Sequence, residues 1–292
     1  MLTGIGFNSF NTVFGNAYNQ TNRTLGQAIE RLSSGLRING AADDVANTAR
    51  IQSLTSSISG YEVAERNLGD GVSLIRTAEA GISSIQTELD EIRELALQAN
   101  NDTLGTVEKN AIQNEINSRL SNIDDIAGGS SFNGIKLLDA SAGTLSIQTG
   151  TDSGDTDSID LSGSFDSASA DAVGNINEGN GGGALGEALN NIDVVTGNID
   201  DIITGIDNAI ENVAAAQSSL GAKENAFVSK SQSMSGSREA ALATRSQLRD
   251  TDFARETSIA VRGFILRSST VAMSSQRQAN ASLALTLLPM VR

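Results

Sequence analysis

Cysteine, histidine and tryptophan are absent from the sequence, and Pro289 is its one proline. Without cysteine the chain has no disulfide, no thiolate nucleophile and no thiolate ligand for a metal. Without histidine it lacks the commonest general base and the commonest ligand of transition metals. These absences disfavour catalytic and metal-binding functions. We therefore expect a protein that is not an enzyme, with no catalytic residue, no cofactor and no metal site.

Positive charge is also scarce, and the formal net charge is −15. Residues 1–40 contain three Arg and one Glu, and residues 245–292 contain seven Arg and three acidic residues, so both ends are basic and residues 41–244 carry −21. An acidic chain is unsuited to nucleic acid, and the terminal arginines are too sparse for a polybasic membrane anchor. No apolar run reaches the 18 or so residues of a membrane span. The first residues also lack the pattern of a cleaved signal peptide.

Apolar residues instead recur with helical spacing over long stretches. Between residues 51 and 96 their steps average close to 3.5, which predicts one long helix with a coiled-coil-like seam. Asp43 or Asp44 is its expected N-cap. The stretch "VEKNAIQNEINSRLSNIDDIA" predicts a second, shorter helix. The seam of the long helix consists of Ile51, Leu54, Ile58, Tyr61, Leu68, Val72, Ile75, Ile82, Ile85, Leu89, Ile92 and Ala96.

A strict heptad marks the second half of the chain. Eight residues stand seven apart without interruption and predict another rod-like helix, antiparallel to the first if the intervening chain folds back. The alternating segments "TLSIQTG" and "DSIDLSG" predict the β-hairpin that would reverse the chain. Residues 163–186, rich in Gly, Ser, Asn and Asp, are expected to form a short variable loop. The heptad positions are Ile199, Ile206, Val213, Leu220, Phe227, Met234, Ala241 and Leu248.

The two ends look helical but carry too few large apolar residues to form cores alone. We expect them to pair with each other. The stretch "RLSSGLRINGAADD", residues 31–44, would be the bend at which the chain passes from the terminal helix into the rod. The predicted fold is therefore mainly α, a long antiparallel coiled-coil-like bundle with a small β-hairpin and a paired terminal-helix domain. Its domains would be 1–43 with 251–292, 44–162 with 187–250, and the loop 163–186.

Several of these segments resemble one known family. "LGQAIERLSSGLRINGAADD" resembles the N-terminal signature of bacterial flagellin, and "ERNLGDGVSLIRTAEAGISSIQTELDEIRELALQANND" resembles its first long core helix. "FNGIKLLD", "LRDTDFARETS" and "SSQRQANASLALTLL" are similar to later parts of that family, in the same order. The resemblance implies a subunit that polymerises into the helical flagellar filament for motility, outside the cell and exported without a cleaved signal peptide. Residues 163–186 would replace the large outer domains of longer flagellins.

The resemblance also implies partners and an assembly surface. The partners would be other copies of the chain, an export chaperone that binds the C-terminus, the filament cap and the hook-associated proteins. Leu32→Asp or Leu36→Asp should block filament growth while the long helices still form. These positions are Leu25, Ile29, Arg31, Leu32, Leu36 and Arg37 near the N-terminus, and Ile265, Leu283, Leu287 and Leu288 near the C-terminus.

A further segment resembles the part of flagellin that Toll-like receptor 5 recognises. The resemblance assigns Leu89, Arg93, Glu94 and Leu95 to it, with Glu115 on the following helix. Many flagellins carry a basic residue at the position of Glu91. This reversal of charge predicts weak recognition.

Three alternatives remain open at this level. A hook–filament junction protein has similar ends, and an enzyme could be inserted in the outer region, although residues 163–186 hold no set of acids, bases or ligands. Asp152, Asp155, Asp157 and Asp160 could bind Ca²⁺, although their spacing is not that of an EF-hand and suggests a solvated turn.

Overall fold

The computed structural model describes residues 3–139, 143–160 and 192–287. The predicted variable loop, residues 163–186, lies outside this range. The described part of the chain contains five helices and four short strands. The helices are α1 Thr3–Ser34, α2 Val45–Ala99, α3 Thr106–Gly129, α4 Ile199–Arg249 and α5 Phe253–Leu287. The strands are β1 Ser131–Phe132, β2 Ile135–Lys136, β3 Thr144–Gln148 and β4 Thr156–Asp160.

Contacts within the chain divide it into two compact units. The terminal unit consists of Met1–Ile58 and Glu239–Arg292, and the middle unit consists of Ser59–Arg238. The domain boundaries expected from the sequence, at residues 43 and 251, stay a prediction.

The core of the middle unit lies along the predicted seam of α2. Leu68, Ile75, Ile82, Ile85 and Ile92 are fully buried there. The seam has two steps of seven residues, where the sequence shows no large apolar residue at the intermediate position. Two alanines, Ala64 and Ala78, fill these gaps and are equally buried. A small side chain on the seam lets a facing element approach closely, so the seam continues where large residues are missing.

The heptad of α4 supplies the facing side of this core. The heptad positions from Ile199 to Phe227 are all buried and form the inner face of the helix, whereas the last three, Met234, Ala241 and Leu248, are half-buried. At Gly71, helix α2 and the Phe227 side chain of α4 approach each other closely. A Cβ atom at this position would lie 2.6 Å from Cε2 of Phe227. The phenyl ring therefore occupies the space that any larger residue would need.

Ion pairs fix α2 against α4 in one antiparallel register. Arg93 Nε lies 2.5 Å from Asp207 Oδ1, and Arg76 Nε lies 2.7 Å from Glu224 Oε1. At the end of the unit, Arg238 of α4 lies 3.8 Å from a Glu62 carboxylate oxygen. We call these three contacts the register ladder. Hydrogen bonding to Asp207 raises the pKa of Arg93 above its ordinary value.

Polar contacts attach α3 to α2, and two hairpins follow along the chain. Arg119 of α3 binds three carboxylates, those of Glu88, Glu91 and Glu115, at 2.5–3.3 Å. The hairpin of β3 and β4 pairs Leu145 with Ile159, as the alternating pattern predicted. A second, smaller hairpin joins β1 to β2, where the sequence indicated a turn. These features confirm the predicted fold class.

Candidate assembly surface on the terminal helices

The bend predicted from residues 31–44 ends α1 at a glycine and begins α2 at an aspartate. Gly35 has a φ of +72°, a left-handed conformation that favours glycine after a helix, and its N–H donates to the Arg31 carbonyl at 2.9 Å. Asp44 accepts a hydrogen bond from the Asn47 N–H at 3.0 Å and is the N-cap of α2. Hydrogen bonds from Asn47 lower the pKa of Asp44. Asp43 instead accepts from the N–H groups of Asn39 and Gly40 and closes the turn.

The same bend is attached to the link between α4 and α5. Leu36 and Asp250 form an isolated antiparallel bridge, and the Arg37 N–H donates to the Arg249 carbonyl at 2.6 Å. The Arg37 guanidinium also donates to the Leu248 carbonyl at 2.7 Å. These hydrogen bonds join the bend before α2 to the link that follows α4.

Helix α1 packs along α5, as expected for two ends that need a partner. Leu25, Ala28 and Ala260 form the buried cluster, with Leu32 and Ile259 at its edge. A Cβ on Gly263 of α5 would lie 3.2 Å from Leu25, so glycine allows the two helices to approach closely. This cluster is small compared with the core of the middle unit, and two of its three buried residues are alanines.

Among the described side chains, an ion pair joins the two terminal helices. Arg31 Nη1 lies 3.1 Å from Glu256 Oε1, and the Glu256 side chain is 7% exposed. A nearly buried carboxylate needs a partner of opposite charge. Arg31 therefore has a structural role within its own chain, as the partner of Glu256.

Six large apolar side chains of α5 between Val261 and Met273 are exposed, and two of them, Leu266 and Met273, line a groove together with Phe14 of α1. We call this set of residues the outer α5 face. Ile265 is 61% exposed and Met273 is 62% exposed, and a groove beside them is lined by Phe14 and Arg277. The guanidinium of Arg277 lies 5.9 Å from the Phe14 ring centre. The outer α5 face consists of Val261, Phe264, Ile265, Leu266, Val271 and Met273.

The structure divides the predicted assembly residues into two groups. Leu25 is buried against α5, Leu32 and Leu36 are half-buried, and Arg31 and Arg37 bind partners within the chain. Ile29 and Ile265 are exposed. Leu283 and Leu287 lie in the last turns of α5, and Leu288 lies outside the described residues. The assembly role of all ten residues stays a prediction. The predicted assembly residues include only Ile265 of the outer α5 face; the other five are visibly apolar in the sequence, but the sequence does not show that they are exposed.

The predicted receptor-recognition segment lies at the junction of α2, α3 and α4. Leu89 is fully buried, Leu95 is half-buried and Glu94 is exposed. Arg93 is bound by Asp207, and Glu115 is bound by Arg119. Glu91, the residue of reversed charge, lies 2.5 Å from Arg119.

The acidic hairpin turn and the lysines of α4 meet at one polar cluster. Lys230 Nζ lies 2.7 Å from both Asp157 Oδ2 and Thr149 Oγ1. The Lys230 ammonium lowers the pKa of Asp157, with a smaller contribution from the Thr149 hydroxyl. Within the described ranges no group of three or more acidic side chains is arranged to hold a metal ion. The cluster attaches the hairpin to α4.

In the part of the chain that the structure describes, the helices are too short or too polar to cross a membrane.

The sequence matches two models of one family. Residues 8–143 match the bacterial flagellin N-terminal helical region, and residues 203–288 match the bacterial flagellin C-terminal helical region. A flagellin of Salmonella typhimurium is 44% identical over 161 residues, which are 55% of this chain and 32% of that protein. A flagellin of Shigella flexneri is 41% identical over 200 residues, 68% of this chain and 36% of that protein. The matches thus span about a third of these relatives.

Solved structures give a coarser comparison. The crystal structure of Bacillus cereus flagellin is 27% identical, with a TM-score of 0.46 over 58% of this chain and 88% of that one. A putative flagellar hook-associated protein from Vibrio parahaemolyticus has a TM-score of 0.58 at 15% identity, covering 71% of this chain and all of that one. The second match shows a shared fold alone. With the two family models matching residues 8–143 and 203–288, the chain belongs to the bacterial flagellin family.

Proposed function

We propose that this chain is a structural subunit that polymerises into the helical flagellar filament for swimming motility. One observation carries the proposal. The outer α5 face holds six exposed large apolar side chains between Val261 and Met273, and the small cluster between α1 and α5 leaves them uncovered. Contiguous exposed apolar surface marks a site of protein association. Other copies of the chain would cover this face.

An open helical polymer follows from repeated contacts of one kind. When two different patches of identical copies bind head to tail and the rotation does not close a ring, the assembly continues as a filament. The family relationship supports this mode of association. The same relationship supports an extracellular, non-enzymatic role and, at a finer level, an export chaperone, a filament cap and hook-associated proteins as partners.

The alternative of a hook–filament junction protein is less well supported. Both curated relatives described above are flagellins. The hook-associated protein from Vibrio parahaemolyticus shares the fold at 15% identity, which does not distinguish the two functions.

Substitution on the outer α5 face tests the filament function. Ile265→Asp places a charge at the centre of the apolar face without touching the cluster around Leu25, so the monomer should remain folded while filaments fail to form. Val107→Asp is the control, because Val107 is also exposed but lies at the start of α3. Electron microscopy after seeding should show normal filaments for the control alone. Normal filaments of Ile265→Asp would contradict the proposal.

Weak recognition by Toll-like receptor 5 is a second proposal, which concerns Leu89, Arg93, Glu94, Leu95 and Glu115. Glu91 gives this surface a negative charge where other flagellins are basic, and its ion pair with Arg119 supports a fixed position for that charge. Glu91→Arg should strengthen binding to the receptor ectodomain, measured with purified proteins. Equal binding of both forms would argue against a role for this residue.

A further inference from the structure

Helix α5 is unusual in its charge. From Thr257 to Leu287 it contains no acidic residue, whereas it carries Arg262, Arg267 and Arg277. Arg267 is in contact with Tyr18, and Arg277 stacks on Phe14. Arg255 and Arg262 are exposed, and neither forms an ion pair with any described residue.

These two arginines lie on one side of the helix together with an apolar side chain. Arg255 and Arg262 are seven residues apart, which is two turns or about 10 Å along a helix. Leu266 follows Arg262 by about one turn and is 48% exposed. An open groove beside them is lined by Val261 and Ile265. We call Arg255, Arg262 and Leu266 the arginine stripe.

The middle unit carries a stripe of opposite charge. Asp90 and Glu94 of α2 are exposed and four residues apart, and neither forms an ion pair with a described residue. Arg93, the cation beside them, forms its ion pair with Asp207 and is also within electrostatic reach of Asp90. Leu97 follows Glu94 by about one turn and is 47% exposed. We call Asp90, Glu94 and Leu97 the acidic stripe.

We propose that the arginine stripe of one copy binds the acidic stripe of another copy within the filament. Each stripe presents two like charges followed, in the same chain direction, by one exposed leucine. Their charges are opposite in sign; the arginines are about 10 Å apart and the carboxylates about 6 Å apart along their helices, a difference that long arginine side chains can span. Arginine favours such contacts because its planar guanidinium can bind a carboxylate through two hydrogen bonds. The inference rests on the proposed filament function and names the surfaces that meet.

Charge reversal tests the contact directly. One variant combines Arg255→Glu with Arg262→Glu, and the other combines Asp90→Arg with Glu94→Arg. Each variant alone brings like charges together, which should slow elongation of seeded filaments by about tenfold or more. In an equal mixture, copies of the two variants can alternate along the filament. At one contact the new glutamates of the first variant meet the new arginines of the second. At the next contact the native arginine stripe of the second variant meets the native acidic stripe of the first. The mixture should therefore elongate at close to the wild-type rate.

Two matched controls separate this contact from the effect of net charge. Arg50→Glu with Arg66→Glu, and Asp70→Arg with Asp125→Arg, change the charge equally at exposed positions outside the stripes. They should elongate normally. Circular dichroism should show wild-type helix content for all variants. Raising the salt to about 0.5 M should reduce the defect of each stripe variant, because screening shortens the range of the repulsion.

The outcomes distinguish this inference from the filament function. A mixture that elongates no faster than either variant, or stripe variants that elongate like the controls, would overturn the inference while wild-type filaments still form. Rescue in one chain that carries all four substitutions, without rescue in the mixture, would place the contact within a copy and also overturn it. Absence of wild-type filaments would overturn the proposed function and this inference with it.

Discussion

Arg76 of α2 and Glu224 of α4 form an ion pair of 2.7 Å that belongs to a register constant along both helices. Arg93 follows Arg76 along α2, and its partner Asp207 precedes Glu224 along α4 by the same number of positions. Glu62 precedes Arg76, and its partner Arg238 follows Glu224, again by equal numbers of positions on the two helices. Exposed ion pairs contribute little to stability, so the register ladder matters more for choosing one alignment.

Cysteine cross-linking tests this register, and the cysteine-free chain suits the method. A Cβ on Gly221 would lie 3.6 Å from the Glu79 carboxylate oxygen, so these positions face each other. Glu79→Cys with Gly221→Cys should be linked by a short bifunctional maleimide, seen as a mobility shift on a reducing gel. Glu79→Cys with Val228→Cys, one heptad further along α4, should not. Equal cross-linking of both pairs would indicate that the helices slide.

Gly71 should tolerate no side chain. In Gly71→Ala the new Cβ would lie 2.6 Å from the Phe227 ring, and overpacking of this kind costs about 1–3 kcal/mol. Gly69→Ala is the control, because a Cβ there has no neighbour within 4 Å and alanine favours the helix by roughly 0.5–1 kcal/mol. Urea unfolding should therefore move the two variants in opposite directions from the wild type. A neutral Gly71→Ala would show that the core accommodates the methyl group.

The Lys230–Asp157 pair should give the middle unit a specific sensitivity to acid. Lys230 lowers the pKa of Asp157 in the folded state, so the pair stabilises the fold above the unfolded pKa of about 3.9. This stabilisation is lost as the pH falls through the lowered folded pKa. The difference in unfolding free energy between wild type and Lys230→Met should be constant above about pH 5 and should shrink below about pH 4.

Lys109→Met is the control for the acid experiment, because Lys109 forms no ion pair with a described residue. Its difference from wild type should not change over the same range. Urea unfolding at pH 7, 4 and 2.5 measures both differences. A Lys230→Met difference that stays constant to pH 2.5 would exclude the pair as the acid-sensitive contact.

The buried Glu256 makes Arg31 a structural residue of the terminal unit. Arg31→Met would leave a nearly buried carboxylate without its partner and should destabilise that unit by about 1–3 kcal/mol. Replacing both residues with methionine should recover most of the loss, because an apolar pair removes the unpaired charge. Hydrogen exchange of amides in α1 and α5 measures the effect. A double variant as unstable as the single one would assign the loss to packing.

The long helices could be predicted from the sequence because their apolar spacing is regular and they contain no proline. The heptad from Ile199 to Phe227 is the inner face of α4, and one of the two expected aspartates, Asp44, caps α2. Ala64 and Ala78 could not be assigned to the core, since an alanine is buried or exposed with little difference in local pattern. The ion pairs could not be predicted either, because they depend on the register between helices far apart in sequence.

The candidate assembly surface was predicted only in part, for a related physical reason. Apolar residues on the terminal helices were recognised as needing a partner, but the pattern does not say whether that partner is the same chain. Leu25 of α1 packs against α5, whereas Ile265 of α5 is exposed and takes no part in this contact. The sequence of α5 shows apolar residues both on the side that packs against α1 and on the exposed side. Only the contact with α1 distinguishes the two sides.

Hydrogen exchange of α5 before and after seeded assembly tests the filament account most directly. Few buried contacts hold residues 261–273 in the single chain, so their amides should exchange readily there. Burial of the outer α5 face by other copies should slow that exchange by about tenfold or more in the polymer. Unchanged exchange of these amides in fully formed filaments would contradict the claim that other copies cover this face.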